Sequence, residues 1–349
     1  MLGYIVKRLL LMIPTLIGIL LVSFAIIQFV PGGPVEQLVQ ELRGASLGGE
    51  VATSSAGLYR GAQGVDPERL KEIRELYGFD KPATQRFLEM LVRYAQFDLG
   101  QSYFHHTSVW QLMIEKLPVS ISLGVWSFLL VYSVSIPLGI AKAVRNGSRF
   151  DLWTSTAILV GYAIPGFVLG VALLVFFGGG SFLQWFPLRG LTSDDWVELS
   201  LAGKVLDYFW HLAMPLTCLI VGSFAVTTML TKNTFLEEVR RQYVMTARAK
   251  GLSERRVFYR HVFRNALIPL VTAFPAAFIG AFFTGSLLIE TLFSLDGLGL
   301  LSYEAVVKRD YPVVLGSLYV FSLLGLVTKL ITDVLYTWVD PRVKFGAQS

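Results

Sequence analysis

Residues Tyr243–Pro269 read YVMTARAKGLSERRVFYRHVFRNALIP, and the nature of this stretch decides what kind of fold the chain adopts. It lies between two long apolar runs, and from Lys232 to Arg264 nine Lys/Arg face three Asp/Glu, a balance of about +6. A basic cluster beside apolar spans stays on the cytoplasmic side of a membrane. At its centre the Ala-rich run Thr246, Ala247, Arg248, Ala249, Lys250 favours helix. Gly251 ends that run, and a second helical run begins at Ser253. A basic helix-turn-helix held against the membrane face is suited to docking a soluble partner. The plain alternative is an ordinary positive-inside loop; the Ala–Gly hinge and the later Asn265–Pro269 run favour docking.

Composition points the same way. Of 349 residues, 54% are hydrophobic and 16% charged, against about 25% charged in soluble domains. A bilayer crossing takes roughly 20 apolar residues. Six runs qualify: Leu9–Phe29, Val119–Ala141, Leu152–Phe177, Leu212–Leu230, Leu267–Phe293 and Val313–Val339. Lys329 and Asp333 interrupt the last one near its inner end. The first run is longer than a signal-peptide core and is followed by PGGP, with no small-residue cleavage site, so it is expected to be retained. The single cysteine, Cys218, lies inside a span, which leaves no disulfide framework and no thiol or zinc chemistry to propose.

Loop charges give the orientation. Lys7 and Arg8 precede the first span, and Lys142, Arg145 and Arg149 fill the 142–149 loop without an acid. The tail adds Arg342 and Lys344 against Asp340. On the other side, residues 30–116 hold nine basic and eleven acidic residues, 179–210 two and four, and 294–312 two and three. The alternation predicts six helices with both ends in the cytoplasm. The net charge of +5 is thereby a topology signal and does not point to nucleic acid.

The chain is expected to divide into an amino-terminal segment with the first helix (1–29), a helical insertion on the outer face (30–116), a membrane domain (117–339) containing the basic segment 232–266, and a tail (340–349). In the insertion, Asp66-Pro67-Glu68 starts a helix with a cap, a first-turn proline and an early acid. Leu70, Ile73 and Leu76 or Tyr77 follow at helical spacing, and Gly78 ends it. A second amphipathic helix fits Thr84–Phe97, with Phe87, Leu91 and Tyr94 on one face. Residues Gly44–Gly64 read as a loop. These helices would lie along the outer membrane face or cover a pore mouth, or form a cap without substrate contact.

Catalytic signatures are scarce. No G-x-x-x-x-G-K-[ST] phosphate loop and no H-E-x-x-H pair occurs. His105 and His106 are adjacent, read as surface residues, and His211 sits at the outer end of the fourth span. Lys329 and Asp333, one helical turn apart near the inner interface, can neutralise each other or snorkel. Glu290 either faces a water-filled path or serves a helix end. Pro137, Pro165, Pro215 and Pro275 fall inside spans, where proline bends helices, and Gly161, Gly166 and Gly170 allow close helix contact. Pro165 and Pro275, with Phe282, Ser286 and Glu290, are the candidate pathway or gating positions.

With these residues in view, the chain resembles the membrane permease subunits of binding-protein-dependent ABC importers, in the oligopeptide/dipeptide group, over nearly its whole length. The likeness rests on RLLLMIPTLIGILLVSFAIIQFVPGGP, YGFDKPATQRFLEML, DLGQSY, LPVSISLG, the TARAKGLSERR…RHVFRNALIP segment and GSLLIETLFSLDGLGLLSYEAVVKRDYPVV. Within that group PGGPVEQ, SIPLGIAKAVRNGSRFD, GYAIPGF, FPLRGL, MLTKNTFLEEVRRQYVMTARAKG and the DPR tail look like the first permease of a Yej-type peptide importer, a system associated with microcin C-like peptides.

The resemblance implies an all-α, polytopic protein of the bacterial inner membrane with the six-helix ABC type I importer permease fold. It also implies what the chain works with: a homologous second permease making a heterodimer, ATP-binding subunits, a periplasmic peptide-binding protein, a peptide substrate and the surrounding lipid. No cofactor and no metal is called for, and ATP hydrolysis is expected on a separate subunit. The basic segment corresponds to the EAA loop, whose helix seats on the ATPase. Ala247 matches the motif's second alanine and Gly251 its glycine, while Met245 and Thr246 replace its glutamate and first alanine; Pro269 lies eighteen residues past Gly251. The coupling residues implied are Tyr243, Thr246, Ala247, Arg248, Lys250, Gly251 and Leu252. Alternatives are a same-fold permease for dipeptides or nickel and, in another class, an ATPase-independent secondary transporter, which the scarcity of mid-membrane charges disfavours.

Topology gives the first test. With Cys218→Ser as background, single cysteines at His105 and Asp194 are expected to react with an impermeant thiol reagent in outer-permeabilised cells. Cysteines at Arg145, Arg255 and Gln348 are expected to stay unlabelled until the inner membrane is opened. Labelling at position 255 in intact inner membranes overturns the six-helix orientation.

Overall fold

Apolar side chains on every side of a helix leave it no polar face, and such helices are the longest elements here. In a computed structural model describing residues 2–29, 80–105, 107–178, 182–283 and 287–339, the chain is helical, and its strand-like pairing among those residues is the bridge Gln101–Ser108. The helices are α1 (Leu2–Phe29), α2 (Ala83–Ala95), α3 (Val109–Val144), α4 (Arg149–Ala163) and α5 (Gly166–Leu173), which runs on through a π turn at Leu174–Gly178. Next come α6 (Leu201–Val239), α7 (Gln242–Ala249) and α8 (Glu254–Ala266), the last with a π turn at Phe258–Val262. After them stand α9 (Ile268–Phe283), α10 (Leu287–Leu292), α11 (Leu298–Val307) and α12 (Tyr311–Val339).

Among the described residues, α1, α3, α6 and α12 are each long and apolar enough to cross a bilayer, and two bent pairs bring the number to six. One pair, α4 with α5, turns through 90°; the other, α8 with α9, through 45°. The predicted third span, Leu152–Phe177, is thus a broken one. Ile164, which precedes Pro165, takes φ −88° and ψ 118°, because a proline ring disfavours helical geometry in the residue before it. The other prolines expected to bend their helices, Pro137, Pro215 and Pro275, lie inside continuous helices. Local adjustments in apolar helices absorb the missing hydrogen bond. The predicted fifth span, Leu267–Phe293, covers α9 and α10, with 284–286 outside the described residues.

The described residues fall into two compact units. The first holds Lys116–Leu301 together with the chain up to Arg8 and from Leu324 onward. Its apolar core joins Leu123 of α3, Leu212, Met214, Leu216 and Cys218 of α6, and Ile289, Phe293 and Leu295. Small residues set its helix spacings, as predicted. A Cβ on Gly166 would stand 2.7 Å from the carbonyl oxygen of Cys218, and one on Gly170 2.5 Å from Leu292 Cδ2. Also within this unit, Asp333 is engaged from α1: Arg8 Nη2 lies 2.9 Å from its Oδ2 and the Tyr4 hydroxyl donates to it at 2.9 Å. The expected neutralisation by Lys329 is replaced by this pair. Lys329 is exposed and, among the described residues, in no ion pair.

The second unit takes in the described part of Leu9–Glu115 and Ser302–Leu323. Here α2 confirms the amphipathic helix predicted at Thr84–Phe97. Its Phe87 ring sits 5.3 Å from Phe24 of α1, and its buried Tyr94 sits 5.1 Å from Tyr319 of α12. Asp310 ties the following loop to α12, accepting from the Ser102 hydroxyl and, at 3.2 Å, from the Tyr103 amide. Arg93 donates to Asp98 at 2.8 Å and, with the Gly100 amide, holds that carboxyl below its usual range. The loop Gly44–Gly64 and the helix expected from Asp66 to Gly78 lie outside the described residues, as do His106 and the 340–349 tail.

The glycine contacts make a graded test. Backbone oxygen cannot yield to a new methyl group, and overpacking of this kind costs roughly 1–3 kcal/mol. Gly166→Ala is expected to lower the melting temperature of the purified protein in detergent. Gly222→Ala, where a Cβ meets nothing within 4 Å, should leave it unchanged or raise it. Equal behaviour of the two variants contradicts the packing described.

Candidate functional site

The basic segment is built on a core, and that core explains its shape. Val244 and Ala247 point inward from α7 and pack with Ala143 of α3, Phe235 of α6, and Val257, Val262 and Ala266 of α8. Phe235 and Val244 are fully buried. The opposite face of α7 exposes Met245, Thr246, Arg248 and Lys250. Of the residues expected to couple, Ala247 is therefore an anchor, Tyr243 and Leu252 are half-buried, and Thr246, Arg248, Lys250 and Gly251 form the exposed edge.

Gly251 closes α7 in the left-handed region, at φ +78°. Its amide donates to the Arg248 carbonyl at 2.9 Å, and the Leu252 amide to that of Ala247 at 3.4 Å. This is the paired-bond arrangement by which a helix satisfies its last carbonyls before the chain reverses. A Cβ at Gly251 would meet nothing within 4 Å, so backbone conformation alone calls for glycine there. Arg248 straps the turn from outside, its Nε and Nη2 lying 2.8 and 3.0 Å from the two carboxylate oxygens of Glu254.

Tyr243 is the polar node beneath α7. Its hydroxyl donates to Glu238 at 2.6 Å, lies 3.2 Å from the His261 carbonyl, and accepts from Asn265 at 3.0 Å. Burial first, and the bond to Glu238 second, push the phenol up to about 12. The group therefore remains a hydrogen-bond donor at every physiological pH, and it links the end of α6 to the C-terminal half of α8.

A second polar cluster lies where α3, α4 and α6 meet; sequence reasoning misses it because Lys142 and Lys232 read as loop charges and Asp151 falls outside both loops. Lys142 is fully buried. Its three N–H donors meet the Asp151 carbonyl at 3.0 Å, Thr154 Oγ1 at 2.8 Å and Ser155 Oγ at 2.7 Å, with Asp151 Oδ1 at 3.1 Å. Lys232 of α6 straddles the same carboxylate at 2.8 and 2.7 Å. Ser148 caps α4 by accepting from the Asp151 amide, and Asp151 accepts in return from the Gly147 amide at 3.1 Å. The signal was present as Ser148-x-x-Asp151, a serine with an acid three residues on at a helix start.

Of the candidate gating positions, Pro165 marks the 90° break and is exposed, and Pro275 is buried within α9. Ser286 and the Phe282 side chain lie outside the described residues. Glu290 is fully buried; its Oε2 accepts from the Leu300 amide at 2.7 Å in the first turn of α11. Gly297 and Gly299 make room for it, since a Cβ on either would stand 2.7 or 3.1 Å from the carboxyl group. The carboxylate thus serves a helix end. His211, read as interfacial, is buried, with Nδ1 2.9 Å from the Asp207 carbonyl. Gly44-Ala45-Ser46-Leu47-Gly48 has the spacing of a nucleophile elbow, which needs a strand–turn–helix; it falls outside the described residues.

Six candidate crossings, a broken third span and a basic helical hairpin seated on α3 and α6 define a multi-pass permease. The chain belongs to the family described as binding-protein-dependent transport system inner membrane component, whose pattern matches residues 135–345. It is 56% identical to the peptidoglycan transport system permease protein YejB of Agrobacterium fabrum, over 98% of each chain. It is 52% identical to the inner membrane ABC transporter permease protein YejB of Escherichia coli O157:H7, over 98% of this chain and 99% of that one. A more distant relative is the di/tripeptide transport system permease protein DppB of Pseudomonas aeruginosa, 33% identical over 99% of each.

The geometry at Gly251 yields a substitution test. A residue with a Cβ costs about 1–2 kcal/mol in the left-handed region, a factor of roughly 5–30 in the population holding the turn. Gly251→Val is expected to insert normally and to lower substrate uptake by about that factor, with Gly251→Asn retaining more activity. Wild-type uptake by Gly251→Val removes the hinge from the mechanism.

Proposed function

We propose that this chain forms half of the translocation path of an ATP-driven peptide importer, paired with a homologous second permease. The basic end faces the cytoplasm, with both termini there. The observation that carries the reading is the hairpin of α7 and α8. It is braced by Gly251, Arg248–Glu254 and Tyr243, and shares its core with Ala143 and Phe235 of two membrane helices. Such an element transmits a push as a unit, because packed cores shift between discrete arrangements rather than deforming. An ATPase subunit would seat Met245, Thr246, Arg248 and Lys250. Its closure would move α7 against the cytoplasmic ends of α3 and α6. The chain itself hydrolyses nothing in this scheme; a periplasmic binding protein delivers the peptide.

Gating is assigned to the break at Pro165 and to the stretch from Pro275 through Phe282 and Ser286 to Glu290. Gly170 against Leu292 supports this, since it packs the helix leaving the break onto the one that carries Glu290. For substrate, the relatives named for peptidoglycan and for di- and tripeptides suggest short peptides, including those released from the cell wall and, by the resemblance, microcin C-like peptides.

Reconstitution with the partner permease, ATPase and binding protein tests the whole scheme. Peptide-loaded binding protein is expected to stimulate ATP hydrolysis several-fold in the complex. Peptide uptake by vesicles holding the permeases without an ATPase would instead favour a secondary transporter.

A further inference from the structure

Beyond the turn at Gly251, the exposed side of α8 carries a charge pattern that the docking of an ATPase on α7 does not use. Ser253, Arg255, Arg256, Tyr259 and Arg260 line an open groove of about 570 Å³. All five are exposed, Tyr259 at 62%. Among the described residues none of the three arginines is in an ion pair, whereas Arg241 is held by Glu237 and Arg248 by Glu254. The groove therefore gathers three guanidinium groups with uncommitted donors around one aromatic ring. Its back is apolar and closed, because Val257 and Val262 point into the core.

We propose that this groove binds the phosphate of an anionic phospholipid in the cytoplasmic leaflet, an inference that rests on the orientation given above. Three observations favour lipid over a protein partner. From Arg260 to the start of α9 at Ile268 is eight residues, about 12 Å of helix axis. The chain bends only 45° at that junction, which holds Arg260 within reach of headgroups beside an apolar span and ranges Arg255 and Arg256 outward from it. Tyrosine with arginine is the pairing found at membrane interfaces, the ring among headgroups and the cation on phosphate. Guanidinium groups also take phosphate oxygens two at a time, which a cluster of three satisfies with one headgroup. The bound lipid would brace α8 from the side opposite its core and so set the platform against which α7 is pushed.

The test uses the full-length chain purified in a zwitterionic detergent, with cardiolipin and phosphatidylcholine as probes and retained lipid read by native mass spectrometry. The variant is Arg255→Gln/Arg256→Gln/Arg260→Gln. It leaves six of the nine basic residues between Lys232 and Arg264 to hold topology. Each basic residue near an anionic headgroup contributes roughly fivefold to binding, so the variant is expected to bind cardiolipin on the order of 100-fold more weakly. Arg240→Gln/Arg241→Gln, which removes charge from the α6–α7 junction, should bind as wild type. Phosphatidylcholine should bind neither variant nor parent specifically, and millimolar inorganic phosphate should not displace cardiolipin. An unchanged melting temperature without lipid establishes that the variant is folded. Undiminished cardiolipin retention by the triple variant overturns the proposal. If that variant also fails to co-purify with the ATPase subunit, the groove is a protein dock instead. Absence of any ATPase partner for the parent chain would sink the importer reading and leave the lipid result standing.

Discussion

One carboxylate shared between two lysines holds the basic end of the membrane domain together. Asp151 takes Lys142 from α3 and Lys232 from α6 while its own backbone starts α4, so three helices meet on two oxygens. Burying charge this deeply is costly, and removal of one partner from such a cluster destabilises by about 3–5 kcal/mol because the others stay buried. The arrangement is tolerable because every donor of Lys142 has an acceptor and the Gly147 amide adds to the carboxylate's partners. What it fixes is relative position: α6 cannot slide along α3 without breaking bonds on both sides of Asp151.

That constraint gives the hairpin something to act on. One turn beyond Lys232, Phe235 fills the core under α7, beside Ala143, the neighbour of Lys142. The seat of the hairpin and the ionic cluster therefore share two helices at adjacent positions. Tyr243 ties the same corner by hydrogen bonds, and Gly251 lets the chain reverse without an unsatisfied helix end. Compact packing alone would allow these parts to repack separately; polar bonds at defined distances couple them. In the importer proposed above, a push on the exposed edge of α7 would be shared among α3, α4 and α6.

The helices and the hairpin were legible because their signals are local. Apolar runs of span length, an Ala-rich run ended by glycine, and Gly161–Gly166–Gly170 spacing need no knowledge of neighbours. The break at Pro165 was half-legible: proline was recognised, but whether a span bends or absorbs it depends on packing, and Pro215 and Pro275 were absorbed. The ionic contacts were the least legible. Lys329 and Asp333 share a helix face in sequence, yet Asp333 is engaged by Arg8 and Tyr4, 325 and 329 positions away. Asp151 with Lys232 is separated by 81 positions, and nothing in a linear spacing announces it. Glu290 has two readings in sequence, a water-filled path or a helix end, and the Leu300 amide of α11 on its carboxylate favours the helix end.

The charges of this chain are used in two different ways. Three acids outside the basic segment serve the backbone: Asp310 accepts from the Tyr103 amide, Asp98 from Gly100 and Glu290 from Leu300. Each replaces a missing backbone partner at a turn or helix end, so these carboxylates are consumed by the fold. In the basic segment the cations outnumber the acids three to one, and only Arg241 and Arg248 find partners among them. A fold that needed those charges only to orient itself in the membrane would be served by any distribution along the loop. Here the surplus is sorted by the turn at Gly251, with Lys250 on the exposed edge of α7 and three arginines around Tyr259 on α8. Sorting of that kind presents two distinct basic surfaces, one at the exposed edge of α7 and one on α8.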